Sequence, residues 1–188
     1  MDKVLERSLA RKIVRGTAKK MKPFGYKLTK PTFLCREYPH FIAFFHFHKF
    51  SFGPYFRVHS GIHVLNRGRD WATLNGPSFE DADQYSEDSE SVARYIQKLT
   101  ELLIGQGLAW VERWLDIQLL LSESDSPLSA DDKARLRIAL DAGPDPERVL
   151  ASYQAFRITP PNEGAPPNGG PATPVGNSGA TEGPPSVS

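Results

Sequence analysis

Histidine is the residue type in this sequence that offers the most chemistry, and all five histidines lie between residues 40 and 63. His46 and His48 are two residues apart, and side chains alternate across a β-strand. This spacing therefore predicts two imidazoles on one face, about 6.6 Å apart. His59 and His63 share a face of the next predicted strand but are about 13 Å apart, which is too far for both to bind one metal ion. Because no cysteine or carboxylate ligands are spaced to help them, we predict no metal site and no cofactor.

A binding surface is the second interpretation of these histidines. Arg57 alternates with His59 and His63, and phenylalanines and tyrosines surround them all. Together with His46 and His48, they predict a polar patch on an aromatic sheet. Such a patch can bind an anionic or planar ligand, or stack the bases of single-stranded nucleic acid. The alternative is that helices cover the aromatic side chains and water solvates the polar ones, since sheets this aromatic usually form cores.

Charge is strongly segregated along the chain. Residues 1–30 carry ten lysines and arginines against two carboxylates, and residues 80–90 carry six carboxylates and no base. Five of the cations recur at a spacing of four and predict one charged stripe on a helix: Lys3, Arg7, Arg11, Arg15 and Lys19. Such a stripe binds phosphates or an acidic protein, or is the wet face of an amphipathic helix. The acidic segment is a candidate docking patch or an internal partner for the stripe.

Signatures of known enzyme classes do not occur in the sequence. We find no Gly-x-Ser-x-Gly elbow, no phosphate-binding loop and no dinucleotide fingerprint. The single cysteine, Cys35, fits a small core residue in a reducing compartment. The chain also shows no secretory signal and no apolar stretch long enough for a membrane span, so we expect a cytoplasmic protein without a membrane partner. An enzyme is the less favoured class, and we predict no catalytic residues.

The elements that position these residues follow from periodicity and from turn residues. A helix is predicted over residues 3–22 and ends at Pro23. Aromatic strands are predicted at residues 32–38, 41–50 and 55–65, with a possible fourth around residues 70–74, and short turns make them an antiparallel meander. Helical patterns follow from residue 89, with breaks at Gly105 and Gly107. Asp88 or Ser89, Ser129 and Asp145 are predicted N-caps.

These patterns predict an α+β fold. It consists of an antiparallel meander sheet of three to four aromatic-rich strands, packed with the N-terminal helix and several C-terminal helices. We expect one domain over residues 1–157. Residues 158–188 are rich in proline, glycine and serine and are predicted to form a disordered tail, because they carry too few large apolar side chains to offset their ordering entropy.

The order of several short motifs resembles a known family. The motifs are Lys-Pro-Phe-Gly-Tyr-Lys (22–27), Phe56-Arg-Val-His-Ser-Gly-Ile62, Asp70-Trp71-Ala-Thr-Leu74 and Gly107-Leu-Ala-Trp-Val-Glu-Arg-Trp-Leu115. They resemble the bacterial domain-of-unknown-function family 4304 over about residues 3–155. His46 stands where that family tends to have Gln, His59 where it tends to have Asn, and Ala109 where Pro is common. The family has no established activity, so the resemblance implies no catalytic residues.

Three function classes remain open at this point. The favoured one is a non-enzymatic binding protein that recognises another macromolecule through charged surfaces. We expect that partner to be a protein, with nucleic acid as the alternative, and an inhibitor or an immunity-type partner of a toxin is one example. The second is a nucleic-acid-binding module that uses the basic helix and the aromatic, histidine-bearing sheet face. The third is a metal- or ligand-dependent enzyme that uses the histidines. The oligomeric state does not follow from the sequence.

Overall fold

The computed structural model describes residues 2–51, 53–68, 71–80 and 83–160. It confirms the α+β fold: six α-helices and a five-stranded antiparallel sheet lie within these ranges, and the strands follow chain order across the sheet. The strands are β1 (Lys27–Lys30), β2 (Phe33–Glu37), β3 (Phe41–Lys49), β4 (Phe56–Val64) and β5 (Ser78–Glu80). The helices are α1 (Lys3–Met21), α2 (Ser89–Leu102), α3 (Ala109–Arg113), α4 (Ile117–Ser122), α5 (Ala130–Ala142) and α6 (Pro146–Phe156).

The three predicted aromatic strands correspond to β2, β3 and β4, with ends that agree within two residues. The fourth strand, predicted around residues 70–74, is wrong where the structure describes it: residues 71–74 form no strand, and residue 70 lies outside the described residues. The outer partner of β4 is β5, which begins just after Pro77. Three residues are too few to produce a readable alternating pattern, and the same shortness hid β1.

Helices cover the two faces of the sheet unequally. On the first face, Phe45 and Phe47 of β3 pack in a large core with Ile13 of α1 and Leu99 of α2. On the second face, Phe44 belongs to a smaller core built with α6. Among the described helices, α6 alone contributes residues to the second core. The other half of this face, beyond α6, has no described helix packed against it.

The segment after α2 departs from its predicted course. Gly105 and Gly107 were expected to break the helix, but the chain stays helical through them as a π-helix, Leu103–Leu108. The first break comes at Trp114, and Asp116 then caps α4 with its side chain. Gly107 is placed against the ring of Phe45: a Cβ there would lie 2.8 Å from it. This glycine therefore permits close packing on the sheet and does not end the helix.

Helix N-termini follow the sequence prediction closely. The side chains of Asp88, Ser129 and Asp145 each accept hydrogen bonds from backbone N–H groups in the first turn of the helix they precede. At the other end of α6, Arg157 adopts a left-handed conformation (φ 55°) and reverses the chain. Ile158, the first residue of the predicted tail, then packs against the second core. Residues 161–188 of that tail lie outside the described residues.

Candidate functional site

Three histidines come together on the open half of the second sheet face. His46 and His48 project from β3, and His59 of β4 is the direct cross-strand partner of His46. The ring centroids form a nearly equilateral triangle, with separations of 6.4 Å (46 to 48), 6.4 Å (46 to 59) and 6.3 Å (48 to 59). We call these three residues the histidine triangle. The alternation predicted from the sequence therefore does bring His46, His48 and His59 into one group.

Aromatic rings extend this group in both directions along the sheet. Phe33 of β2 packs on His46, with ring centroids 4.4 Å apart, and Phe50 meets the edge of His48 at 5.6 Å. Arg57 lies over the Phe50 ring, 5.0 Å from its centroid. We call the histidine triangle together with these three side chains, Phe33, Phe50 and Arg57, the histidine face. It is a continuous run of ring contacts.

Arg57 is less available for a ligand than its position suggests. Its guanidinium donates to Glu80 of β5, and both side chains are partly exposed to solvent. An exposed ion pair of this kind contributes little to stability, but it neutralises the local charge of the arginine. Glu80 belongs to the acidic segment, so one of the carboxylates of that segment is paired with Arg57.

His63 lies on the same face of β4 but not on the surface. Helix α6 covers it completely, which corrects the expectation that it shares an open, polar face with His59. Its Nε2 is 2.9 Å from Oγ of Ser152, and that hydroxyl donates to the carbonyl oxygen of Leu65. Because the hydroxyl has only one proton, His63 is the donor, and its proton is on Nε2. His63 is a core residue that anchors α6.

Burial keeps two of these histidines neutral. Desolvation, followed by the nearby His59 and His48, lowers the pKa of His46 to about 4. Desolvation, followed by Arg67, lowers the pKa of His63 to about 4. The pKa of His59 is also lowered, first by burial and then by Arg57 and His48. At neutral pH the rings of His46 and His63 are therefore uncharged, so they offer hydrogen bonding and stacking rather than positive charge.

The described residues contain no group of three or more His, Cys, Asp and Glu side chains placed to hold a metal ion. The histidine triangle illustrates the reason. Three imidazoles bound to one tetrahedral zinc at about 2.0–2.1 Å have ring centroids about 5 Å apart. The observed separations of 6.3–6.4 Å are wider than that.

A shallow groove adjoins the histidine face. Its volume is about 490 Å³, and it lies between the turn that joins β1 to β2 and the last turns of α6. Lys30 and Arg157 line it together with Thr32, Gln154 and one side of Phe33, and none of its lining residues is acidic. The Lys30 ammonium sits 5.2 Å above the Phe33 ring. We call this depression the Lys30 groove.

Sequence reasoning missed the residues of this groove. Lys30 and Phe33 are close together but far from Arg157 in the chain, and none of the three belongs to a motif. Phe33 reaches the histidine face because it pairs with His46 in the β2–β3 register. Arg157 reaches the groove because α6 crosses the sheet. Neither the register nor the crossing can be read from local periodicity, although the run of alternating aromatics did place Phe33 in a strand.

The second candidate surface is the cationic side of α1. Five exposed side chains form it, which we call the basic stripe: Lys3, Arg7, Arg11, Arg15 and Lys19. The opposite side of α1 is anchored in the first core by Leu9, Ile13 and Met21. No ion pair involving the stripe is found among the described residues. The stripe is thus a row of cations on a firmly packed helix.

The acidic segment does not pair with the basic stripe in the part of the chain that the structure describes. Asp83 binds Lys98, Glu90 binds Arg94 four residues later, and Glu80 binds Arg57. Asp88 caps α2. The one ion pair from α1 among the described residues joins Glu6 to Lys49 of β3 and involves a carboxylate of the helix, not its cations. The segregation of charge along the chain therefore persists in the fold.

The two candidate surfaces lie on opposite sides of the sheet. Helix α1 packs on the face that carries Phe45 and Phe47, whereas His46 and His48 project from the other face of the same strand. A single ligand cannot span both without passing around an edge of the sheet. Each surface must therefore be assigned its own partner.

Comparison with known proteins gives no further guide to function. No family model, curated protein or solved structure matches this chain. The resemblance to family 4304 therefore stays a prediction from the sequence. None of the helices in the described ranges is both long enough and apolar enough to cross a bilayer.

Proposed function

We propose that this chain is a non-enzymatic binding protein of a bacterial cytoplasm that recognises an acidic surface of another protein through the basic stripe. One observation carries the proposal: five cations stand exposed in a row on α1, and four carboxylates of the acidic segment, Glu80, Asp83, Asp88 and Glu90, are engaged elsewhere. A protein inhibitor or an immunity-type partner of a toxin is one concrete form of this function.

The packing of α1 supports this role. Ile13 and Met21 are fully buried, so the helix is held rigidly and its cations are preorganised for a partner. Charge complementarity between such a row and an acidic surface accelerates association and selects the correct partner. A cation that stabilises the fold is expected to form an ion pair with a carboxylate, as Arg67 does with the buried Asp132.

The nucleic-acid alternative in its original form combined the basic stripe with the histidine face. The two surfaces lie on opposite sides of the sheet, so they do not form one groove for one strand. A protein partner needs only the stripe, and for this reason we favour it for that surface.

Affinity capture from the lysate of the native host, treated with nuclease, tests the proposal. The wild-type protein is compared with R7E/R11E/R15E and with K27E/R113E/R137E, a matched control in which three other exposed cations are reversed. Both triple variants change the net charge equally. We expect the specific partner to be lost with the stripe variant and kept with the control.

Two results would contradict the proposal. The first is recovery of the same partner by both triple variants, which would reduce the basic stripe to a solvated helix face. The second is capture of proteins from untreated lysate but of none from nuclease-treated lysate, which would show that nucleic acid had bridged them. Circular dichroism and thermal unfolding of each variant confirm that the fold is retained.

A further inference from the structure

The histidine face is a continuous path of rings. Helix α6 reaches only its Phe33 end, where the Phe156 ring lies 6.0 Å from the Phe33 ring. The path begins with Phe33, continues through His46 to His48, and ends at Phe50. His59 widens the path at its centre. From His46 to Phe50 the chain advances four residues, or about 13 Å in extended form. This length is sufficient for more than one planar group side by side.

Positive charge is placed at one end of this path. Lys30 lies above the Phe33 ring and lines the Lys30 groove with Arg157. Thr32 and Gln154, in the same wall, add neutral hydrogen-bond donors. Since no carboxylate lines the groove, an anionic group entering it meets donors and cations without a competing acid.

The centre of the path is aromatic and weakly charged. The half-buried His46 is uncharged at neutral pH. Among the described residues, Glu80 is the one carboxylate in contact with the face, and it is bound to Arg57. Flat rings without net charge are platforms for stacking, and stacking accepts any base because every base has a π-face. A surface that pairs stacking rings with phosphate-binding cations is suited to a ligand that carries both planar rings and phosphates.

We propose that the histidine face and the Lys30 groove together bind a short segment of single-stranded nucleic acid, with bases stacked on His48 and His59 and phosphates held by Lys30 and Arg157. A duplex does not fit, because its bases are already stacked on each other and cannot lie on protein rings. An acidic protein surface would meet the cations but would supply no rings for the histidines. This site is independent of the basic stripe, which lies on the other side of the sheet.

Fluorescence anisotropy with a labelled eight-nucleotide oligothymidylate tests the site. Two double variants remove its two parts: H48A/H59A removes stacking rings, and K30E/R157E reverses the groove cations. His46 is left intact because it packs against Phe33 and supports the fold. H40A is the matched histidine control, since His40 lies in the turn before β3, away from the face.

We expect the wild type to bind the oligonucleotide and each double variant to bind at least about tenfold more weakly, which corresponds to the loss of one stacked base or of the phosphate contacts. H40A and R7E/R11E/R15E should bind as the wild type does. Two phosphate contacts to a single strand predict a slope of about −1.4 for the logarithm of affinity against the logarithm of salt concentration.

Three results would overturn the proposal. They are no binding of the oligonucleotide by the wild type, wild-type affinity in H48A/H59A, and loss of binding in the stripe variant. In the last case the steeper salt slope expected for about five contacts, roughly −3.5, would identify the basic stripe as the nucleic-acid site. These readouts are separate from protein capture, so failure here is distinguishable from failure of the proposed function.

Discussion

The side chain of Asn75 pairs with the backbone of Ile62 as a neighbouring strand would. Its Oδ1 accepts a hydrogen bond from the Ile62 N–H, and its Nδ2 donates to the Ile62 carbonyl, both at 2.9 Å. Strand β5 pairs with β4 only as far as His59. Beyond that point, the backbone of Ser60 bonds to Gly76 and Pro77. Asn75 then satisfies the backbone groups of Ile62, which would otherwise be unpaired at the sheet edge.

Replacement of Asn75 by alanine should destabilise the protein. The substitution leaves a backbone donor and an acceptor of Ile62 without their partners in a half-buried setting, which costs about 1–3 kcal/mol. Urea denaturation measures the change in the free energy of unfolding. Leu74→Ala is the control, since that side chain is exposed and its loss should change stability by less than about 0.5 kcal/mol. Equal effects of the two substitutions would show that the carboxamide contributes nothing.

Two glycines of the π-helix should respond to alanine in opposite directions. At Gly107 an added Cβ would lie 2.8 Å from the buried Phe45 ring, and we expect a loss of about 1–2 kcal/mol from overpacking. At Gly105 an added Cβ meets nothing within 4 Å, so alanine should stabilise by about 0.5–1 kcal/mol through reduced unfolded-state entropy. Thermal unfolding of both variants provides the comparison, and destabilisation by G105A would contradict this account of the segment.

Acid should destabilise the fold through His63 and His46. Each has a pKa lowered to about 4, whereas in the unfolded chain the value returns to about 6.5. Between these values the unfolded chain binds more protons than the folded one, so stability rises with pH from about 4 to 6.5 and is lost as pH falls through that window. For the buried His63 the contribution is on the order of 3 kcal/mol.

The free energy of unfolding measured between pH 4 and 7 tests this assignment. H63Q, which keeps a donor toward Ser152, should be less stable than the wild type at pH 7 yet show a shallower dependence on pH. H46Q should also reduce the slope, by less, because His46 is only partly buried. An unchanged slope in H63Q would mean that the interior admits the imidazolium ion.

The buried ion pair of Arg67 and Asp132 should be costly to break on one side. The guanidinium Nε and a carboxylate oxygen are 3.1 Å apart, and the two side chains are 6% and 3% exposed. D132A leaves an uncompensated buried cation and should lose about 3–5 kcal/mol. The apolar pair R67M/D132L should lose less than D132A alone, as measured by urea denaturation. The reverse order would show that the pair itself stabilises the fold beyond its own desolvation.

The sheet could be predicted from the sequence because eight of the eleven phenylalanines fall between residues 33 and 56, and aromatics at this density favour strands. Alternation also placed His46, His48 and His59 on compatible faces. The prediction that His63 lies on an open face was wrong, because side chains alternate in the same way whether a helix covers the strand or solvent does. Only the position of α6 decides between the two.

Glycine was a misleading signal for a similar reason. Gly105 and Gly107 are helix breakers by propensity, but Gly107 is used for its lack of a side chain beside Phe45. Tertiary packing therefore overrode local preference at this position. The Lys30 groove lay beyond prediction because it joins residues about 120 positions apart, and because register, not composition, brings Phe33 beside His46.

The left-handed residue Arg157 has a practical consequence for surface-based binding experiments. Because the chain reverses there, Pro160 lies beside Pro39 and His40, at the end of the sheet where β3 begins. His48 is seven residues further along β3, or about 23 Å away. A biosensor chip coupled through residues beyond Pro160 would therefore attach at a corner distant from the histidine triangle. The histidine triangle and the basic stripe would then stay accessible to analytes in the flow, whereas Arg157 of the Lys30 groove, three residues before Pro160, would lie close to the coupling point.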